Sequence, residues 1–258
     1  MLICIDAGHY LGTPGKRCLK TIDPGETREW VLNSRVADKV QARLAGYDCQ
    51  TMRADDPTGQ TDVTLESRVL AANRAKADVY LSIHHNAGIK GDSGGGIVVY
   101  VCPGVGEDTT TLQRAIYEHT VASTGLRGNR SKPLGVAAFY VLKYTTMPAV
   151  LGEFGFMDST TDTPIILTEK YADKLADGIV AALVEQYKLK EVEDVLTYEQ
   201  WVGYYKRYLK EQAMKEPTEQ WQQDTVRKAI AAGISDGSRP LAASTRVETM
   251  AMVLANAK

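Results

Sequence analysis

The sequence has no run of apolar residues near the ~18 needed to cross a bilayer and no basic segment followed by an apolar one at its start. It also has almost no net charge, since 30 basic residues against 32 acidic ones leave −2. A membrane span is therefore excluded. So is attraction to a polyanion by bulk charge, which removes nucleic acid from the expected partners. Cysteine is sparse: Cys4, Cys18, Cys49 and Cys102 lie far apart with no C-x-x-C pair, which argues against a disulfide framework or a zinc knuckle and for free thiols. There is no low-complexity tract and no internal repeat. What remains is 44% hydrophobic and 24% charged, a balance that builds a real core and rules out disorder, collagen and coiled coil.

Short apolar runs alternate with helical patterns from Leu2 to Glu153: LICID, a helix over 30–45, DCQTMR, a helix near 64–76, VYLSIH, then GGGIVVYV and a helix at 107–124. In the first helix Leu32, Val36, Val40 and Leu44 recur every fourth residue, a stripe suited to packing on a sheet. Two more strands are expected at 139–142 (FYVL) and 149–154 (AVLGEF). A helix over 168–188 then carries Tyr171, Leu175, Ile179 and Leu183 on one face. This alternation predicts an α/β domain with about six strands in a mostly parallel twisted sheet flanked by helices, spanning 1–188. Charge interrupts the pattern at 189–196, the expected linker. No strand signal follows, and 197–258 is expected to be a small all-α domain.

Three segments put an ionisable side chain where a strand gives way to a loop: His9 after LICIDAG, His84 after VYLSI, and Glu153 within AVLGEF. The carboxyl ends of strands form the ligand crevice of open α/β sheets. His84 and His85 are adjacent, so in a strand they face opposite ways and only one joins a site with His9. Glu26 and Glu29 both fall at the start of the first helix, where the helix dipole favours a carboxylate. Glu153 stands in an apolar frame, PAVLGEFGF, where an unpaired carboxylate is costly. Two histidines and a carboxylate suit a hydrolytic zinc site with an open fourth position, and a second carboxylate outside the set suits a general base. With no compact H-E-x-x-H motif, spacing alone does not choose among metal-binding arrangements.

Four segments together resemble the zinc-dependent N-acetylmuramoyl-L-alanine amidases of bacteria and phage endolysins. They are DAGH at 6–9, EWVLN at 29–33, TLESRVLAANRAKADVYLSIHHNA at 64–87 and AFYVLKYTTMPAVLGEFGFMDS at 138–159. The resemblance implies zinc bound by His9, Glu29 and His84, with Glu29 rather than Glu26 because Asn33 stands four residues after it. It implies Glu153 as general base, Asn86 as a substrate or loop contact, and His85 outside the ligand set. The implied reaction is hydrolysis of the amide between N-acetylmuramic acid and L-alanine in peptidoglycan. A zinc peptidase cutting within the stem peptide and a non-catalytic wall-binding protein are the alternatives.

The tail WQQDTVRKAIAAGISDGSRPLAASTRVETMAMVLANA resembles the S-layer-homology-like tails of some wall hydrolases, which implies wall attachment. Self-association is the competing role, with Trp201, Tyr204, Tyr205, Tyr208 and Trp221 as a small core. A phage or prophage endolysin, held in the host cytoplasm until release to the wall, is the expected setting; a sporulation or mother-cell lysis enzyme is the nearest alternative.

Overall fold

Leu2–Ala7 forms strand β1, and Ile3 to Ala7 are all buried, as expected of a strand covered on both faces. The computed structural model describes residues 1–192. After β1 come helix α1 (Glu29–Leu44), β2 (Gln50–Arg53), α2 (Leu65–Arg74), β3 (Val79–Asn86) and β4 (Ile97–Val101). The second half holds α3 (Glu107–Thr124), β5 (Leu134–Val136), α4 (Tyr140–Tyr144), β6 (Ala149–Phe156), α5 (Thr163–Ile166) and α6 (Glu169–Tyr187). Local chemistry starts two of the helices: the Thr64 and Thr168 hydroxyls accept hydrogen bonds from the Ser67 and Tyr171 N–H groups, capping α2 and α6.

The six strands make one mixed sheet in the order β2-β1-β3-β6-β4-β5. Every pairing is parallel except β4 with β6. The chain leaves β1 for β2 on one side and reaches β3 on the other, so a switch point lies at the carboxyl ends of β1 and β3. β6 runs parallel beside β3, with Glu153 opposite His84, and brings its own carboxyl end to the same edge.

One face of the sheet is covered by α1, α3 and α6. Leu32, Val36, Val40 and Leu44 of α1 and Leu175, Ile179 and Leu183 of α6 are all 0–1% exposed, so both predicted stripes face the core. Each such side chain contributes roughly 1.5–3 kcal/mol of burial. The other face carries a smaller cluster, in which Val69 and Ala72 of α2 meet Val141 and Leu142 of α4 over Tyr80 and Leu151.

The strand expected at 139–142 is instead the beginning of α4, and the strand in that part of the chain is β5, paired with β4. Burial explains the difference. Val141 and Leu142 point inward while Phe139, Tyr140 and Tyr144 face out, a pattern of helical rather than alternating period. Residues 189–192, the first part of the expected linker, lie against the loop after α1. Lys190 N–H donates to Asp48 Oδ1, Val192 N–H donates to Gly46 O, and Leu189 is buried. The rest of that linker and the expected all-α domain at 197–258 lie outside the described residues.

On the surface between α1 and α6, Arg35, Lys39 and Arg43 pair with Glu169, Asp173 and Asp177. Such pairs contribute at most about 1 kcal/mol each. Leu175→Ala is accordingly expected to cost about 2–5 kcal/mol and Lys39→Ala less than about 1. Hydrogen exchange of the α6 amides reads both, and equal losses would contradict the assignment of the core.

Candidate metal centre

His9 stands two residues beyond β1 with φ at +68°, in the left-handed region that a histidine enters only when its surroundings hold it there. Three contacts do so. Gly8 N–H donates to Ile83 O, Asn33 Nδ2 donates to Gly8 O, and Arg68 Nη2 donates to His9 O at 2.8 Å. Gly8 has no alternative, because a Cβ there would lie 2.0 Å from the His84 ring. Glu29 is the first residue of α1, at the positive end of the helix, and is 1% exposed.

The three side chains converge. Glu29 Oε1 is 3.0 Å from His84 Nδ1 and accepts the His85 N–H at 3.3 Å, while Glu29 Oε2 is 3.2 Å from His9 Nε2. The two imidazoles stand edge to face at 5.0 Å. One ligand atom from each of His9, Glu29 and His84 lies within 4.8 Å of the others. The fit to a divalent cation rests on this donor set and on Glu29 Oε2, a buried oxygen with no hydrogen-bond partner, facing an imidazole nitrogen in a geometry that is not a hydrogen bond. Lys16 Nζ stands 3.8 Å from the same oxygen.

Two carboxyls at this centre are tuned in opposite directions. Burial works against the charge of Glu29, but the hydrogen bond from His84 and the contact with His9 outweigh it and hold the carboxyl below its usual range. Glu153, across the sheet from His84, is pushed up to about 7, chiefly by burial; the His84 charge opposes this and the Glu29 charge adds to it. Glu153 Oε2 is buried without a partner and is not one of the converging ligand atoms. His9, His84 and Glu153 line one cavity of about 540 Å³ whose walls include Thr13, Lys16, Asp62 and Tyr140.

Glu26 turns away and pairs with Arg17 and Lys20. His85 takes the opposite face of β3, where burial drives its pKa down to about 3 and keeps it neutral; its Nδ1 meets Asn33 Oδ1 at 2.8 Å. The Asn33 side chain thus joins the segments that carry all three candidate ligands. Asn86 is not in the cavity wall. The β3–β6 pairing slips between His84 and Asn86, and the Asn86 side chain accepts the Ala87 N–H.

Arg68 is the residue that sequence reasoning passed over. It lies buried on α2 and binds Asp6, Ala7 O, His9 O and Val63 O; Asp6 is held from its other side by Ser82. The signal was there, an arginine in the buried stripe of a helix beside Val69 and Ala72, which demands a buried partner.

A parallel-edged α/β sheet with a two-histidine, one-carboxylate cluster at its switch point defines the class: an α/β protein with a candidate cation site beside a buried carboxyl. Comparison with known proteins gives the particular group. Residues 3–185 match the model of the N-acetylmuramoyl-L-alanine amidase family. A sporulation-specific N-acetylmuramoyl-L-alanine amidase of Bacillus subtilis is 34% identical over 189 residues, 71% of each chain. The endolysin of Bacillus phage SPP1 is 27% identical over 74% of this chain and 67% of its own. The crystal structure of an N-acetylmuramoyl-L-alanine amidase from Clostridium difficile superimposes with a TM-score of 0.64 at 28% identity, covering 72% of this chain and 96% of that one. The chain belongs to the N-acetylmuramoyl-L-alanine amidase family.

Two outcomes follow from this geometry. Arg68→Met frees the His9 backbone without altering the side chain of a candidate ligand, and is expected to weaken Zn²⁺ binding about 10–100-fold by titration calorimetry; unchanged affinity would contradict the role of Arg68. The folded Glu153 carboxyl binds its proton more tightly than the unfolded one at 4.5, so its contribution to stability is lost as pH rises through about 7. In chelator-treated protein, Glu153→Gln should therefore gain up to about 3 kcal/mol on the wild type above pH 7 and nothing at pH 4. Parallel unfolding midpoints across that range would contradict it.

Proposed function

We propose that the protein is a zinc-dependent amidase that hydrolyses the bond between the lactyl group of N-acetylmuramic acid and the L-alanine of the stem peptide in peptidoglycan. Membership of the amidase family supports the bond. The observation that carries the chemistry is the convergence of His9, Glu29 and His84 on one point, beside a cavity that Glu153 lines together with the two histidines.

His9, Glu29 and His84 are the residues that would hold the zinc, and a zinc ion there supplies a Lewis acid that polarises the carbonyl and acidifies water. The chain's own part falls to Glu153. With a pKa near 7 it accepts a proton from the attacking water as the water oxygen bonds to the lactyl carbonyl carbon. It then hands that proton to the alanine nitrogen as the C–N bond breaks, so the products are a carboxylic acid and a free amine. Lys16 stands beside the cluster with a charge that suits the carboxylates of the stem peptide.

The setting we favour is a phage or prophage endolysin that accumulates in the host cytoplasm and reaches the wall on release. The 27% identity to the SPP1 endolysin over 74% of the chain supports it. The 34% identity to the sporulation-specific amidase supports the second setting, a sporulation enzyme. Wall attachment is the role proposed for 197–258, with self-association as the competing one. Added from outside, an endolysin clears suspensions of susceptible Gram-positive cells, while a protein restricted to spore walls does not.

Digestion of purified peptidoglycan with mass spectrometry of the fragments tests the activity. The expected products are stem peptides beginning at L-alanine, lost with a chelator and restored by Zn²⁺. Glu153→Gln should lower turnover by at least about 10²-fold while retaining zinc. Fragments cut within the stem peptide would move the assignment to a peptidase, and bound but intact walls would make it a binding protein.

A further inference from the structure

The cavity has two chemically different stretches of wall. Lys16 and Asp62, from the loops ahead of α1 and α2, bring charge to it, whereas Phe139, Tyr140 and Val141, at the start of α4, bring none. The aromatic stretch continues outward along α4, where the Lys143 ammonium lies over the Tyr144 ring at 5.1 Å. Of ten exposed large hydrophobic side chains among the described residues, five (Leu134, Val136, Phe139, Tyr140 and Tyr144) come from 134–144. Exposed apolar side chains gathered beside a cleft mark a binding surface rather than ordinary exterior.

This surface is held in shape. Val141 and Leu142 anchor the turn in the smaller core, at 3% and 5% exposure, while Phe139, Tyr140 and Tyr144 remain 38–48% exposed. Tyr100 braces Phe139 edge to face at 5.3 Å, and the Tyr140 and Tyr144 rings lie 4.5 Å apart on successive turns. A tyrosine offers an apolar ring face with a hydrogen-bonding hydroxyl at its end. A pyranose ring is its counterpart, with C–H groups on its faces and hydroxyls and acetamide around its rim.

Bond topology and charge decide which part of the substrate meets this wall. The scissile amide is joined to the sugar only through the short lactyl ether, so an amide seated beside His9 and His84 puts the sugar ring at the cavity mouth. The stem peptide carries ionised groups, and its counter-charges in the wall are Lys16 and Asp62. The sugar chain is neutral around the scissile bond and matches the aromatic stretch. We propose that Phe139, Tyr140 and Tyr144 form a glycan subsite, a stacking ledge for the N-acetylhexosamine rings of the wall polymer. The position of the subsite relative to the cut bond rests on the amidase reading; its affinity for sugar does not.

Nuclear magnetic resonance of the full chain with ¹³C-labelled tyrosine rings tests the ledge, with Tyr140 and Tyr144 assigned by Tyr140→Phe and Tyr144→Phe. Tetra-N-acetylchitotetraose is expected to shift both signals saturably in the millimolar range, and the free stem peptide to leave them in place. In kinetics with one stem peptide carried on one or on four sugars, the longer glycan should raise kcat/KM about tenfold, the scale of a single aromatic stacking contact. In Tyr140→Ala/Tyr144→Ala that gain should fall below about twofold. Immobile tyrosine signals, an equal response to the peptide, or an undiminished gain in the double variant would overturn the ledge. So would shifts that follow protein concentration alone, which would make the surface a contact between copies. Failure to cut any muropeptide would overturn the amidase reading instead, and the tyrosine signals would still judge the ledge.

Discussion

The structure of the centre depends on keeping Glu29 ionised where water does not reach it. A buried carboxylate is costly unless its charge is met. Here the two histidine rings, the His85 N–H and the amino end of α1 all meet it. They come from three parts of the chain, so the fold must bring the loop after β1, the end of β3 and the start of α1 to one point. The parallel arrangement of β1 and β3 does this, and the Asn33 side chain ties the Gly8 carbonyl to His85 from below. A second buried charge pair, Arg68 with Asp6, fixes the His9 backbone from the other side.

The same sheet separates the two carboxyls by role. Glu29 sits among groups that favour its charge, and Glu153 sits next in line on β6 with one oxygen that finds no donor. Both are buried, so the hydrogen bond from His84 and the contact with His9, which Glu153 lacks, divide an acid that stays ionised from one poised near neutral pH, the usual means by which one site performs two kinds of proton chemistry. Neither residue does so by itself, since the Glu29 charge adds to the rise at Glu153 and His84 opposes it.

Much of this was legible in the sequence because it depends on period and on strand ends. The stripes of α1 and α6 face the core, six strands form, and His9, Glu29 and His84 come together. The glutamate could be chosen over Glu26 only through the amidase resemblance, because both stand at the mouth of one helix. The strand expected at 139–142 failed for a physical reason: a four-residue apolar run does not distinguish two inward neighbours on a helical turn from alternation along a strand. Asn86, expected as a substrate or loop contact, accepts the Ala87 N–H beside the bulge that follows His84, a feature that a sequence does not disclose. Arg68 and Tyr140 acquire their roles only when α2 and α4 are laid beside the cavity.

Zinc K-edge X-ray absorption of the zinc-loaded full chain, beside Glu29→Gln and Glu153→Gln, tests the ligand set at its source. A light-atom shell near 2.0–2.1 Å with imidazole scattering from two histidines is expected, altered by Glu29→Gln and unaltered by Glu153→Gln. A sulfur shell near 2.3 Å, or a spectrum that responds to Glu153 and not to Glu29, would contradict it.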